Sequence, residues 1–122
     1  MVVDDGLMGI THVLRGDDLL LCTPRQIWLF EVLGLPVPEF AHVPLLYGQD
    51  GNRLSKRHGS LAADALRQRG VRAEEVIGYL AHLGGLIPNK EPVKARELVS
   101  HFSLEKLPKE PVILGWTAEA GE

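Results

Sequence analysis

Apolar and polar positions alternate along the first half of the chain in a way that predicts strand, helix and strand. The opening "MVV" is apolar and β-branched and runs into the turn signal "DDG", which predicts a short strand ending in a turn. "GITHVLRG" predicts a second strand, with Thr11, Val13 and Arg15 on one side and Ile10, His12 and Leu14 on the other. A helix follows. Thr23 is its candidate N-cap, Pro24 sits where a missing N–H costs nothing, Gln26 would complete a capping box, and Gly34-Leu35-Pro36 stops it. Its apolar residues Ile27, Trp28, Leu29, Phe30, Val32 and Leu33 spread over more than one face, as in a crossover helix covered on two sides. "FAHVPLLYG" predicts a buried strand in which Pro44 marks an end, an edge or a bulge. Strand, helix and strand over residues 10 to 47 make a βαβ unit, whose parallel sheet binds ligands at its carboxyl edge.

Beyond Gly59 the pattern turns helical. Ser60 can cap "LAADALRQR", which Gly70 ends; Glu74 and Glu75 open "AEEVIGYLAHL", with Val76, Ile77, Leu80 and Leu83 at helical spacing before Gly84-Gly85. "PVKARELVSHF" suggests a third helix, and the tail from Leu107 to Glu122, with its prolines and glycines, is expected to fray.

Composition narrows the class. A 122-residue chain that is 45% hydrophobic and 24% charged is of soluble globular type and at most one modest domain, or a piece of a larger one. No apolar run approaches the roughly 20 residues of a spanning helix, and "MVVDDG" is no signal peptide, so a cytoplasmic protein without a membrane partner is expected. The single cysteine, Cys22, excludes an internal disulfide and a multi-cysteine zinc site. A net charge of −3 means that any nucleic-acid contact rests on a local patch.

One stretch is not explained by packing. "DGNRLSKRHGS", residues 50 to 60, places Arg53, Lys56 and Arg57 between Gly51 and Gly59, directly after the second strand of the βαβ unit. Such a loop is either solvated surface or a triphosphate site, with lysine as a mobile point charge and arginine as a fork for phosphate oxygens. Without further information, Arg15 is an ion-pair partner for Asp17 or Asp18, Asp18 a helix-start carboxylate, and Leu45 and Leu46 core. Asp4 and Asp5 form a turn or a carboxylate pair. The five histidines, His12, His42, His58, His82 and His101, are dispersed without metal-ligand spacing, and none is assigned chemistry.

"VVDD", "ITHVLRG", "TPRQ", "PLL" and "LSKR" occur in an order and spacing that resemble the second half of the catalytic domain of glutamyl-type class I aminoacyl-tRNA synthetases, with "RLSKR" in the place of their KMSKS signature. "ALRQRGVRAEEVIGYLAHLGG" resembles the helical stem-contact region that follows, and the match covers roughly residues 2 to 104. Within the family the chain looks most like the glutamyl-Q tRNA(Asp) synthetases, which activate glutamate with ATP and attach it to queuosine in tRNA(Asp). The resemblance implies an α/β fold: residues 1–59 as the second half of a Rossmann-type catalytic domain, with the KMSKS-like loop, and residues 60–122 as a helical stem-contact module with a frayed tail.

It also implies roles. Lys56 and Arg53 would be catalytic, stabilising charge on the departing pyrophosphate, with Arg57 in support. Arg15 would bind the glutamate substrate through a carboxylate; Asp18, Leu45, Leu46, Ser55 and Lys56 would bind ATP, with Asp18 at the ribose and the leucines at the adenine. ATP would bring Mg²⁺, and no zinc would be held by this chain. Arg67 and Arg72, with Arg69, Lys90, Lys94 and Arg96, could follow the phosphates of tRNA(Asp) or tRNA(Glu), although Glu74, Glu75, Glu91 and Glu97 among them equally describe a mixed-charge solvated face.

The family's other signature, HIGH, does not occur, and neither does the tyrosine that normally precedes "VVDD". Half of a doubly wound sheet leaves an edge and an apolar face uncovered. The expectation is therefore an aminoacyl-tRNA ligase by family whose chain alone is inactive, completed by a separate N-terminal half, by a longer chain or by self-association. The alternative is a non-catalytic tRNA-binding or assembly module.

Overall fold

The computed structural model describes residues 1–55 and 61–115. Lys56, Arg57, His58, the cap expected at Ser60 and the end of the expected frayed tail lie outside the described residues. The chain packs as two compact units, Met1–Leu45 and Leu46–Glu122. The end of the apolar "PLLY" stretch and the start of the basic loop group with the helical residues of the second unit.

In the first unit, α1 (Val2–Met8) leads to β1 (His12–Gly16), a 3-10 turn (Asp17–Cys22), α2 (Thr23–Val32) and β2 (Glu39–Val43). The opening residues are helical and do not form the expected strand. Asp4 and Asp5 lie in the first turn, where carboxylates favour the helix dipole, and α1 ends on Gly9 at φ 69°, with the Ile10 N–H bonded back to the Asp5 carbonyl at 3.0 Å. Val2 is buried, and Leu35 lies so close to Gly6 that any side chain there would require Leu35 to shift.

β1 and β2 are parallel, in the register Val13↔Phe40 and Arg15↔His42, with α2 as the intervening helix, so the βαβ unit is present. Phe30 is 0% exposed and anchors α2. The helix is not covered on two sides within the described residues: Trp28 is 59% and Val32 60% exposed. Leu14, on the opposite face of β1 from Arg15, is 58% exposed, so among the described residues nothing fully covers this face of the sheet at Leu14.

The second unit contains β3 (Leu46–Tyr47), α3 (Ala63–Gln68), α4 (Ala73–Leu83), α5 (Ala95–Leu98), a 3-10 turn (Leu104–Lys106) and β4 (Val112–Ile113). Pro44 separates β2 from β3, as its missing N–H requires. The third helix is a single turn, and the described part of the tail contains β4. β4 runs parallel to β3, Leu114 N–H bonds the Tyr47 carbonyl at 2.8 Å, and Gly115 N–H bonds the Tyr79 hydroxyl at 2.8 Å. On α4 the buried residues are Gly78, Tyr79 and Ala81, while Leu80 is 42% exposed. No helix among the described residues is long and apolar enough to cross a membrane.

Candidate functional site

Arg15 sits at the carboxyl edge of the parallel pair, and its surroundings are built from three elements. The register pairs it with His42 on β2, while α2 crosses the same face and brings Thr23 and Gln26. The guanidinium donates from Nε to His42 Nε2 at 3.2 Å and from Nη2 to Thr23 Oγ1 at 2.8 Å and Gln26 Oε1 at 2.6 Å, with a longer contact to the Leu19 carbonyl at 3.5 Å. Its carbon lies 4.9 Å from the centre of the Phe40 ring, a cation–π approach. Nη1 meets the Met1 sulfur at 3.1 Å, a weak acceptor.

None of these partners is a carboxylate. The ion pair with Asp17 or Asp18 is not formed, and among the described residues no carboxylate pairs with Arg15. The expected capping box at α2 is not formed either. Thr23 is buried and donates its hydroxyl to the Leu19 carbonyl at 3.1 Å, and the Gln26 amide oxygen accepts from Arg15. A half-buried guanidinium whose Nε and Nη2 are fixed by acceptors other than carboxylates keeps one donor-bearing end for an anion.

Asp18 is the second residue of the 3-10 turn, two residues past β1, with its carboxylate over Gly16: a Cβ there would stand 2.5 Å from Asp18 Oδ1 and 3.1 Å from Leu45 Cδ2. The strand must therefore end in glycine for Asp18 to take this position. The result is a cation and a hydrogen-bond acceptor at the same strand end, the pair of groups that a carboxylate and a hydroxyl-bearing ligand would use.

The start of the basic loop is shaped by a hairpin. Gly48 N–H bonds the Asn52 carbonyl at 2.8 Å, Asn52 N–H bonds Asp50 Oδ1 at 3.0 Å, and Gly51 adopts φ 77°, which turns the chain back so that Arg53 bridges antiparallel to Tyr47. Leu54 N–H then bonds the Leu46 carbonyl at 3.0 Å. β3 thus carries this returning segment and β4 as neighbours, which sets the path of residues 53–55. Arg53 and Ser55 are exposed, and Leu45 and Leu46 are half-buried.

Arg67 is exposed in the last turn of α3. Arg72 is exposed too, but its Nε lies 3.4 Å from Glu75 Oε1, and the same carboxylate accepts the Arg72 backbone N–H at 3.0 Å, so Glu75 serves the start of α4. Lys90 stacks over the Tyr79 ring at 4.5 Å. His12 makes an exposed pair with Glu39 at 3.7 Å. His42 was assigned no chemistry from sequence, yet it contacts the principal cation; aligning "HVLRG" with "EFAHV" as parallel neighbours is the signal that would have placed it opposite Arg15.

Comparison with known proteins identifies the family. Residues 1–115 match the family model of tRNA synthetases class I (E and Q), catalytic domain. The chain is 55% identical over 112 residues to the glutamyl-Q tRNA(Asp) synthetase of Symbiobacterium thermophilum, covering 92% of this chain and 35% of that protein. It is 49% identical over 113 residues to glutamate–tRNA ligase 1 of Fervidobacterium nodosum, covering 92% and 24%. The chain therefore spans about a quarter to a third of the length of these relatives. Among solved structures, the glutamate tRNA ligase of Elizabethkingia meningosepticum in complex with its amino acid superposes with a TM-score of 0.75 at 31% identity, over 92% of this chain and 26% of that one. With the family model matched from residue 1 to residue 115, the chain belongs to the class I tRNA synthetases of the E and Q type, within their catalytic domain.

Proposed function

We propose that this chain carries the KMSKS-side part of an ATP-dependent, glutamate-activating tRNA synthetase of the glutamyl-Q tRNA(Asp) kind, in which Arg15 receives a carboxylate of L-glutamate. The observation that carries the reading is the Arg15 guanidinium, held by His42, Thr23 and Gln26 without a carboxylate partner among the described residues. In the reaction an oxygen of the α-carboxylate attacks the α-phosphorus of ATP, an acyl-phosphate bond forms, the bond to the β-phosphate oxygen breaks, and pyrophosphate leaves. A carboxylate neutralised by a guanidinium is a poorer nucleophile, so Arg15 suits the side-chain carboxylate and leaves the reacting one free.

Asp18 accepts from the ribose hydroxyls, Leu45 and Leu46 border the adenine, and Ser55 joins Lys56 at the phosphates. Lys56 and Arg53 stabilise charge as it moves onto pyrophosphate. Mg²⁺ would enter with the nucleotide, where it would neutralise charge on the phosphates. The HIGH-bearing side of the site is contributed by another segment or subunit. Glutamate-dependent exchange of pyrophosphate into ATP, with that side supplied, tests the reading: Lys56→Ala should reduce exchange by orders of magnitude, and exchange equal to wild type would refute the role.

A second reading, tRNA binding without catalysis, draws on the exposed cation Arg67 at the end of α3. It predicts that Arg67→Glu weakens RNA retention and flattens its salt dependence, with no effect of Lys56→Ala.

A further inference from the structure

The Arg15 site contains a group that the activity as proposed does not use. His42 faces Arg15 in register across the sheet, with its Nε2 3.2 Å from the Arg15 Nε and 3.0 Å from the Thr23 hydroxyl oxygen. The Arg15 Nε–H is a permanent donor, so Nε2 must present its lone pair, and the ring proton belongs on Nδ1. The Thr23 hydroxyl can give its single hydrogen to Nε2 or to the Leu19 carbonyl at 3.1 Å, and in either case it still accepts from Arg15 Nη2 at 2.8 Å. An Nε2–H imidazole would instead leave the Arg15 Nε–H facing another N–H.

The consequence is directional. A guanidinium on a flexible stem can rotate, and a single contact does not fix its plane. Here Nε is held by β2, Nη2 by α2, and the flat face lies over Phe40, whose ring is itself stacked on the His42 ring at 6.3 Å between centres. Only Nη1 is directed away from this cradle, toward the Met1 sulfur, which an anion would readily displace.

We infer that His42 is a positioning residue for anion recognition: its Nε2 lone pair takes the Arg15 Nε–H and aims the Nη1 end of the guanidinium at a substrate carboxylate. This rests on the reading of Arg15 as the glutamate residue, and the test separates the two. In the nitrogen-15-labelled chain, with the HIGH-bearing side supplied unlabelled, long-range ring correlations should show His42 protonated at Nδ1 and unprotonated at Nε2. The Arg15 Nε–H signal should move on titration with L-glutamate. His42→Leu should weaken that response about tenfold, as for loss of one hydrogen bond to a charged group, and His42→Gln, whose amide oxygen reaches as far as Nε2, should stay within about threefold of wild type. A proton on Nε2 in the wild-type ring overturns the positioning role whether or not the variants fold, and so does a full glutamate response in His42→Leu. Absence of any glutamate response at Arg15 in the wild-type chain, with the His42 tautomer as expected, overturns the glutamate reading and with it the purpose of the contact.

Discussion

Replacing Arg15 by lysine keeps the charge and removes the geometry, which makes it the most informative substitution in the first unit. Thr23 and Gln26 both accept from Nη2, at 2.8 and 2.6 Å, so an ammonium placed there could serve both. It could not also reach His42 Nε2, which accepts from the separate Nε at 3.2 Å. One hydrogen bond from a charged donor is lost, worth about 1.5–3 kcal/mol when enclosed. Because Arg15 and His42 are half-buried, solvent replaces part of it, and the expected loss is about 1–2 kcal/mol in the unfolding free energy of residues 1–45. Binding should suffer more than stability. The remaining charge is a point drawn toward Thr23 and Gln26, with no end directed outward, so L-glutamate affinity should fall roughly 10- to 100-fold. Urea unfolding followed at the β1 and β2 amides gives the first quantity, and a glutamate titration of the same sample the second. If Arg15→Lys keeps both the stability and the affinity of wild type, the Arg15 network does not do what is described.

Two further predictions concern the second unit. Gly78 on α4 lies against the Glu91 carbonyl, where a Cβ would overlap backbone; Gly78→Ala should cost about 2–3 kcal/mol, and an unchanged urea midpoint for α4 would show that residues 91–92 do not pack there. Tyr79→Phe removes the acceptor of the Gly115 N–H. Since Gly115 is exposed, the expected cost is about 1 kcal/mol, seen as roughly fivefold faster hydrogen exchange at Gly115 and Leu114, and unaltered exchange would count against the latch.

The parts of the fold that are legible in the sequence are those that local pattern determines. The parallel pair around a crossover helix follows from alternation in "THVLRG", the Pro24 start and the Gly34 stop. "MVVDDGLM" misleads because its β-branched residues have strand propensity, while the Asp4 and Asp5 first turn, the Gly9 cap and the burial of Val2 favour a helix. β4 is invisible locally, since its partner β3 lies more than sixty residues earlier in the chain and two residues carry no periodicity. Thr23 and Gln26 read as a capping box because their spacing fits one; a guanidinium from a neighbouring strand takes both side chains instead. The same lack of tertiary information hid His42. Arg15 itself was legible only through the family resemblance, since spacing alone offered it Asp17 and Asp18.

The most direct test of the central claim is pyrophosphate exchange measured on the protein recovered from its source cells, with whatever chain completes it, for wild type and for Lys56→Ala introduced at its own locus. The account predicts exchange that requires L-glutamate and falls by orders of magnitude in the variant. Exchange independent of glutamate, or undiminished in the variant, would contradict it.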